Sequence, residues 1–134
     1  KTLNPYLDAG KVVPFSGTSE ILPGLTGTVH PGHTPGSAFY TLTSKGEKIT
    51  FVGDIIHAAA VQFPQPAVTI TYDEDENKAA SVREHAFADF VKNKDLIAAP
   101  HLPFPGIGYV TKGEKGGYAW VPVTYTNRDA SGAK

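Results

Sequence analysis

The sequence predicts an α+β fold in which one helix covers a mostly antiparallel β-sheet. Three strand-like runs follow one another between residues 25 and 52, with only short connections between them. One stretch of helical periodicity follows near residues 79–91, and further strand-like runs end the chain. Because strands joined by short turns pair antiparallel, this order indicates one sheet with its helix on one face.

The first half of the chain contains most of the predicted strands. Prolines and glycines break residues 1–24 into turns, and we predict only a short strand near residues 11–14. The next predicted strands span residues 25–30, 38–43 and 48–52. Residues 44–47, between the last two, are typical of a hairpin turn in which Gly46 is available for positive φ.

The second half contains the predicted helix. Residues 58–72 are apolar and interrupted by prolines, and the acidic run at 73–77 then marks a helix start, since acidic side chains are favoured at that end of the helix dipole. The residues expected to face the sheet are Ala79, Val82, Ala86, Phe87, Phe90 and Val91. The charged residues expected to lie largely outside this stripe are Arg83, Glu84, Asp89 and Lys92.

Three short strands complete the predicted sheet. A buried strand is predicted at residues 96–99, and an antiparallel pair at 108–111 and 118–125. The polar tail from Asn127 is expected to be frayed.

Composition excludes several classes of partner. The formal net charge is −1 and the lysines are scattered, so no basic surface for nucleic acid is expected. The chain has no cysteine, which excludes disulfides and thiolate metal ligands. No apolar run approaches the roughly 20 residues that span a bilayer, so we expect no membrane partner.

Three side chains suited to a divalent metal each lie in a short loop after an apolar strand: His33, Asp54 and His101. A single loop histidine is more often solvated, and an aspartate at a strand end is common. Taken by themselves, these residues therefore indicate only part of a metal site.

The motifs around these residues resemble the metallo-β-lactamase-fold hydrolases, and most closely the branch with methyl parathion hydrolase and the N-acyl homoserine lactonases. The resemblance runs from about residue 5 to about residue 125. The motifs that carry it lie at residues 14–17, 32–36, 59–63 and 101–108, where residues 32–36 read Gly-His-Thr-Pro-Gly.

The resemblance implies a role for each candidate ligand. His33 corresponds to the histidine that binds the first metal, Asp54 to the carboxylate that bridges two metals, and His101 to the histidine that binds the second. Two divalent ions, with zinc the expected metal, would be held in the complete enzyme, with partial or no occupancy in this chain alone. The nucleophile would be a metal-bound hydroxide, so no side chain is expected to serve as nucleophile.

The resemblance also implies that part of the family's domain is missing. Members carry a His-x-His-x-Asp-His cluster in the N-terminal half, and no two of the five histidines here are separated by a single residue. We therefore expect residues 1–134 to be the C-terminal half of an αββα sandwich, and the absence of methionine fits a fragment or a processed product. Half a sandwich exposes an apolar sheet face, so the expected partner is the missing N-terminal half or a second copy of this chain.

Further residues are predicted near the site. Thr34 and Ser37 are expected to donate and accept hydrogen bonds around His33. Candidate wall residues of a pocket for a small-molecule substrate are His57, Phe63, Tyr72, Phe104 and Ile107. The alternatives remain open, because His57 is as readily a surface histidine and such aromatic residues more often lie in the core.

We expect a fragment of a dinuclear metal-dependent hydrolase that acts on esters, lactones or phosphotriesters and is inactive without its N-terminal half. A β-lactamase or a thioester hydrolase of the same fold is an alternative, because the shared motifs specify the metal site and not the substrate. Another is a non-enzymatic half-domain that self-associates or binds a partner. The resemblance is compatible with a periplasmic or secreted parent protein, although no signal segment is visible in this sequence.

Overall fold

A computed structural model describes residues 2–125, and the predicted tail from Asn127 lies outside them. Within these residues, seven strands form one sheet whose spatial order follows the chain. They are β1 Thr18–Leu22, β2 Leu25–Val29, β3 Ala38–Ser44, β4 Glu47–Phe51, β5 Leu96–Ala98, β6 Ile107–Lys112 and β7 Tyr118–Pro122. All neighbours pair antiparallel except β4 and β5, which are parallel. The predicted α+β fold is confirmed.

The N-terminal segment differs from the prediction. The strand predicted at residues 11–14 is wrong: the segment before β1 instead contains a short helix, α1 (Asn4–Asp8), with a proline in its first turn. Proline is favoured there because its fixed φ suits the first helical turn. Strand β1 was not predicted, since four of its five residues are exposed and it has no alternation of apolar and polar residues. Strand β7 also ends at Pro122, before the predicted residue 125.

The hairpin between β3 and β4 forms as predicted. Only Lys45 and Gly46 connect the two strands, and their φ values are 52° and 82°. Two consecutive positive φ values define the type I′ turn, whose twist matches that of paired strands. Glycine adopts this conformation without steric cost, which confirms the expectation for Gly46.

A single-turn helix, α2 (Ala59–Gln62), lies between β4 and β5. The main helix, α3 (Glu76–Asn93), follows it and lies on one face of the sheet. The side chain of Asp75 accepts a hydrogen bond from the Lys78 amide and so caps its N-terminus. Its apolar stripe packs against side chains of the sheet and against the crossover segment between β4 and β5. This core contains Phe39, Ile56, Phe63, Phe87, Phe90, Ile97 and Val110. Within residues 2–125, no helix is long and apolar enough to cross a membrane.

Arg83 corrects the predicted helix pattern. It was expected outside the apolar stripe, yet it is 1% exposed. Arg83 lies one turn beyond Ala79, so the helix carries it to the side that faces the core. A buried guanidinium is stable only where its donors find acceptors, and Arg83 finds them in three backbone carbonyls and one buried carboxylate.

The opposite face of the sheet bears large apolar side chains that remain partly exposed. Strand register places Tyr40 beside Phe51 and Tyr109 beside Val121 on this face. These four side chains are between 38% and 46% exposed. Phe15, from the segment before β1, makes an edge-to-face contact with Tyr40 at a centroid distance of 6.1 Å. Apolar surface that is continuous across several strands is characteristic of an interface.

Gly32 is expected to be required for the contact between the β2–β3 loop and α3. A Cβ at this position would lie 2.6 Å from the Ala79 amide nitrogen, which is closer than atoms pack. Gly32→Ala should lower the free energy of unfolding by about 1–3 kcal/mol, measured by urea denaturation. The matched control is Gly36→Ala in the same loop, where a Cβ meets nothing within 4 Å. Equal stabilities of the two variants would contradict this packing.

Candidate metal centre

The β2–β3 loop carries His33 and is closed by its own hydrogen bonds. The His30 amide donates to the Ser37 carbonyl at 2.7 Å, at the two ends of the loop. Inside the loop, the Thr34 amide donates to Ser37 Oγ at 3.0 Å, and the two hydroxyl groups lie 2.9 Å apart. The two hydroxyl residues predicted near His33 therefore brace the loop, so His33 is presented from a fixed turn.

The parallel pairing of β4 and β5 brings Asp54 and His101 together. Phe51 and Ala98 are register partners, and Asp54 and His101 each follow their partner by three residues. Because parallel strands end at the same edge of a sheet, both side chains reach that edge. Gly53, with a φ of 55°, allows the sharp turn that directs the chain into the 3₁₀ segment Gly53–Ile55, where Asp54 lies.

The three predicted ligands meet around the carboxylate of Asp54. His33 Nε2 lies 3.5 Å from one carboxylate oxygen, Oδ2, and His101 Nε2 lies 3.2 Å from the other, Oδ1. The side chains of Asp54 and His101 are close to half exposed, whereas that of His33 is mostly buried. The cluster is thus anchored on the His33 side and open on the other.

His57 lies inside this cluster, closer than the sequence indicated. Its ring stacks on His101 at a centroid distance of 4.4 Å and is tilted against His33 at 4.9 Å. Its Nδ1 atom is buried and has no hydrogen-bond partner among the described residues. Burial, followed by the charges of the neighbouring imidazoles, lowers the pKa of His57. A neutral imidazole with a free nitrogen is a metal ligand as readily as a pocket residue.

The donor set fits a divalent metal. One ligand atom each from His33, Asp54 and His57 lie within 4.8 Å of one another, and His101 approaches the same carboxylate. Imidazole nitrogen and carboxylate oxygen are ligands that zinc accepts. For two ions, however, these residues form only part of a ligand set.

Two residues that the sequence analysis did not assign to the site, Asp73 and Arg83, stand behind His33. The Nδ1 atom of His33 donates to Asp73 Oδ1 at 2.9 Å, which leaves Nε2 available to a metal. Burial alone would raise the pKa of Asp73, but hydrogen bonds from His33 and the Ile70 amide, together with the charge of Arg83, lower it below its usual value. The sequence contains one indication of this buried charged pair. Arg83 lies one helical turn after Ala79, on the side of the helix that carries the apolar stripe.

The four other predicted pocket residues separate into three environments. Phe63 is 2% exposed and stacks on Phe87 and Trp120 in the core, so it offers no wall to a substrate. Phe104 and Ile107 line an open groove of about 630 Å³ that also includes residues adjacent to Asp54 and His101. Tyr72 is 75% exposed in the turn before α3 and does not line this groove.

A second, smaller cavity lies behind the cluster. It measures about 250 Å³ and is lined by His30, His33, Asp54 and Arg83 among others. His30 and His33 both line this cavity, although residues three positions apart in an extended strand point to opposite faces. The ring of His30 stacks on Phe39 at 4.0 Å, and burial lowers its pKa. The loop turns between the two histidines, so the alternation of an extended segment does not apply to them.

Comparison with known proteins identifies the family. A sequence model of the metallo-beta-lactamase superfamily matches residues 2–101. The chain therefore belongs to the metallo-beta-lactamase superfamily, as its motifs indicated. A comparison with curated proteins gave no match.

Solved structures with the same fold include hydrolases. The chain resembles AbOPH, a hydrolase of the beta-lactamase superfamily, with 40% identity and a TM-score of 0.85 over 93% of this chain and 43% of that one. It also resembles AidC, a dizinc quorum-quenching lactonase solved with a homoserine product. The identity is 26% and the TM-score 0.81 over 95% of this chain and 46% of that one.

A third solved structure shares the fold of this chain but little of its sequence. It is a probable metal-dependent hydrolase from Staphylococcus aureus, with 18% identity and a TM-score of 0.63 over 89% of this chain and 42% of that one. This chain therefore spans less than half the length of each of the three solved proteins.

Proposed function

We propose that this chain is the C-terminal half of a dinuclear metal-dependent hydrolase of esters, lactones or phosphotriesters. The observation that carries the proposal is the position of Asp54, whose two oxygens each lie within 3.5 Å of a different imidazole nitrogen, on His33 and on His101. A carboxylate between two imidazoles is the arrangement that two neighbouring cations require, because an anion between them offsets their repulsion.

Each side chain has a distinct task in this proposal. His33 and Asp54 would hold the first ion, and Asp54 and His101 the second, while His57 would line the substrate pocket beside them. The ions, when bound, supply Lewis acidity that activates water and polarises the substrate. The hydrogen bond from His33 to Asp73 keeps the ring in the tautomer with a free Nε2. The open side formed by Asp54 and His101 is where substrate would approach.

The groove beside the cluster supports an apolar substrate group. Its walls include Phe104, Pro105 and Ile107, and it borders Asp54 and His101 through their neighbours Gly53 and Pro100. An acyl chain or an aryl group is the kind of substituent that such walls bind. AidC was solved with an N-hexanoyl homoserine product, whose acyl chain is a substituent of this kind.

The site needs a second element to be complete. The side chains that surround Asp54 give each of two ions fewer ligands than a catalytic site uses. We propose that a complementary half with the His-x-His-x-Asp-His cluster supplies the remaining ligands and covers the face around Tyr40 and Phe51. A second copy of this chain would cover that face without supplying such a cluster. β-Lactam or thioester substrates remain alternatives within the fold, because the same ligands serve them.

The isolated chain is expected to lack stoichiometric binding of two tightly held metals. The physical reason is the ligand count around Asp54, which leaves each ion under-coordinated. Elemental analysis after dialysis against zinc, with the oligomeric state measured in parallel, tests this. Two retained zinc ions per isolated monomer would contradict the proposed half site.

Asp54→Ala should reduce turnover far more than His57→Ala. In Asp54→Ala we expect kcat/KM to fall by more than about 100-fold for every substrate. Loss of a residue that only hydrogen-bonds to a metal ligand typically costs about 10–100-fold, and loss of a ligand shared by two metals should cost more. His57→Ala should instead change the ratio of kcat/KM between an aryl phosphotriester and a long-chain lactone by about tenfold. The protein measured should contain this chain together with the His-x-His-x-Asp-His half.

The control for this comparison is Asp89→Ala, which removes an exposed carboxylate of α3. Metal content is measured in every variant. Loss of both metal and activity in His57→Ala, with both retained in Asp54→Ala, would reverse the roles of ligand and pocket residue. A substrate panel with a β-lactam and a thioester, tested on the same unmodified protein, separates the alternatives. Absence of any hydrolysis with metal fully bound would favour the non-enzymatic alternative.

The chain is expected to assemble through the apolar sheet face. A stable assembly should bury more than about 1,200 Å² in total, the lower bound of ordinary specific interfaces. Phe51→Glu should weaken association, because it places a charge at the centre of this face. Val13→Glu is the control, since Val13 is 88% exposed outside the sheet. Light scattering at several concentrations measures the effect, and a well-folded monomer at all concentrations would contradict it.

A further inference from the structure

We propose that Arg83 is a positioning residue that fixes His33 and Asp54 relative to each other. The inference rests on the proposed metal-binding role of those two residues. Arg83 belongs to α3, and its hydrogen bonds go to groups other than the His33 and Asp54 side chains. It acts through Asp73, which accepts from His33, and through the carbonyl of Ile55, the residue after Asp54.

The contact toward His33 runs through a buried carboxylate. Arg83 Nη2 lies 3.5 Å from Asp73 Oδ2, and Asp73 Oδ1 accepts the His33 Nδ1 proton at 2.9 Å. The Ile70 amide also donates to Oδ2, at 3.1 Å. The Asp73 side chain is fully buried, so it has no freedom to turn away. The plane of the His33 ring is therefore set by a carboxylate that Arg83 and the Ile70 amide hold.

The contact toward Asp54 runs through the backbone. Arg83 Nε donates to the Ile55 carbonyl at 2.6 Å, a short bond that involves a charged donor. Ile55 is the last residue of the 3₁₀ segment that carries Asp54. Because Arg83 holds this carbonyl, the end of the 3₁₀ segment is fixed. The position of the Asp54 Cα atom, from which the side chain extends, is fixed with it. One guanidinium thus bears on both candidate ligands.

The remaining donors of Arg83 hold the connection that carries Asp73. Nη1 donates to the carbonyls of Pro66 and Val68, each at 2.8 Å. Five fixed donors in one plane allow a single arginine to serve these acceptors together. A lysine has one nitrogen and cannot occupy the same positions at once. Arg83→Lys therefore keeps the charge and loses the geometry.

Backbone hydrogen bonds also join the His33 loop to the segment that carries Asp73. The Glu74 amide donates to the His33 carbonyl, and the Asp75 amide to the Gly32 carbonyl, both at 3.0 Å. The segment that carries Asp73 is therefore paired with the His33 loop through main chain and side chain. A small displacement of this segment would move the His33 ring with it. Arg83 joins this pair to the loop of Asp54.

The test measures zinc affinity and the state of the His33 ring in the protein that contains this chain together with the His-x-His-x-Asp-His half. Zinc is titrated into this protein, labelled with ¹⁵N at histidine, and NMR follows each ring nitrogen and the His33 Nδ1 proton. Arg83→Lys and Asp73→Asn are expected to lower zinc affinity by about 10–100-fold, the usual effect of an outer partner of a metal ligand. Asp73→Asn should also move the Nδ1 proton signal upfield, because the amide oxygen is a weaker acceptor.

The matched control is Asp95→Asn. Asp95 is likewise a buried carboxylate, but it pairs with Lys48 at 2.5 Å and with Asn93. Asp95→Asn should lower the melting temperature without changing zinc affinity or the His33 signals. Melting temperatures of all variants are measured, so that a variant that does not fold is recognised. Asp73→Asn, which leaves Arg83 its three carbonyl acceptors, keeps the test available if Arg83→Lys does not fold.

The outcomes distinguish this inference from the proposed function. Zinc binding that perturbs His33 in the unmodified protein and weakens in both variants supports Arg83 as a positioning residue. Unchanged zinc affinity in folded Arg83→Lys and Asp73→Asn, with lower melting temperatures, would limit both residues to stability and overturn the inference alone. If zinc leaves the His33 signals of the unmodified protein unchanged, the metal-binding role of the cluster fails, and the inference with it.

Discussion

The parallel pairing of β4 with β5 determines where the main helix and two of the candidate ligands lie. Every other neighbour in the sheet is antiparallel and can be joined by a short turn, but a parallel pair needs a crossover connection. Here the crossover contains α3, so the pairing also places a helix on the sheet. It sets Asp54 and His101 at equal offsets from the register pair Phe51 and Ala98. The candidate ligands are thus close together because of how the sheet is connected.

The crossover also supplies the polar groups behind the site. Asp73 lies just before α3 and Arg83 within it, and both are nearly inaccessible to solvent. Two buried charges cost solvation free energy, and their mutual attraction offsets this only when the remaining donors and acceptors are satisfied. Arg83 meets that condition with three carbonyl oxygens as well as the carboxylate. The result is a rigid polar support on the mostly buried side of the cluster.

Prediction from the sequence succeeded where a pattern is local. The hairpin at Lys45 and Gly46 and the apolar stripe of α3 are encoded by neighbouring residues, and both formed as expected. Strand β1 is held by its pairing with β2, which no local pattern of its own indicates. Phe63 was assigned to a pocket because an aromatic residue near a motif fits either environment. Only the tertiary packing against Trp120 distinguishes the two.

The candidate site shows the same division between local and nonlocal information. His33, Asp54 and His101 could be predicted because each lies in a recognisable motif, and the structure brings them together. Asp73 could not be singled out within a run of acidic residues, since its hydrogen bond to His33 spans 40 positions in the chain. The position of His57 beside the candidate ligands likewise depends on how three separate loops meet.

The crossover has a consequence for the order in which the protein folds. Strands β1 to β4 pair with their sequence neighbours through short loops, whereas Phe51 and Ala98 lie 47 positions apart. Closing a long loop costs more chain entropy than closing a short one, so contacts of high sequence separation form slowly. The N-terminal meander is therefore expected to form before β5 joins it. The cluster around Asp54 comes into existence only at that late step, and a partly folded chain carries no metal site.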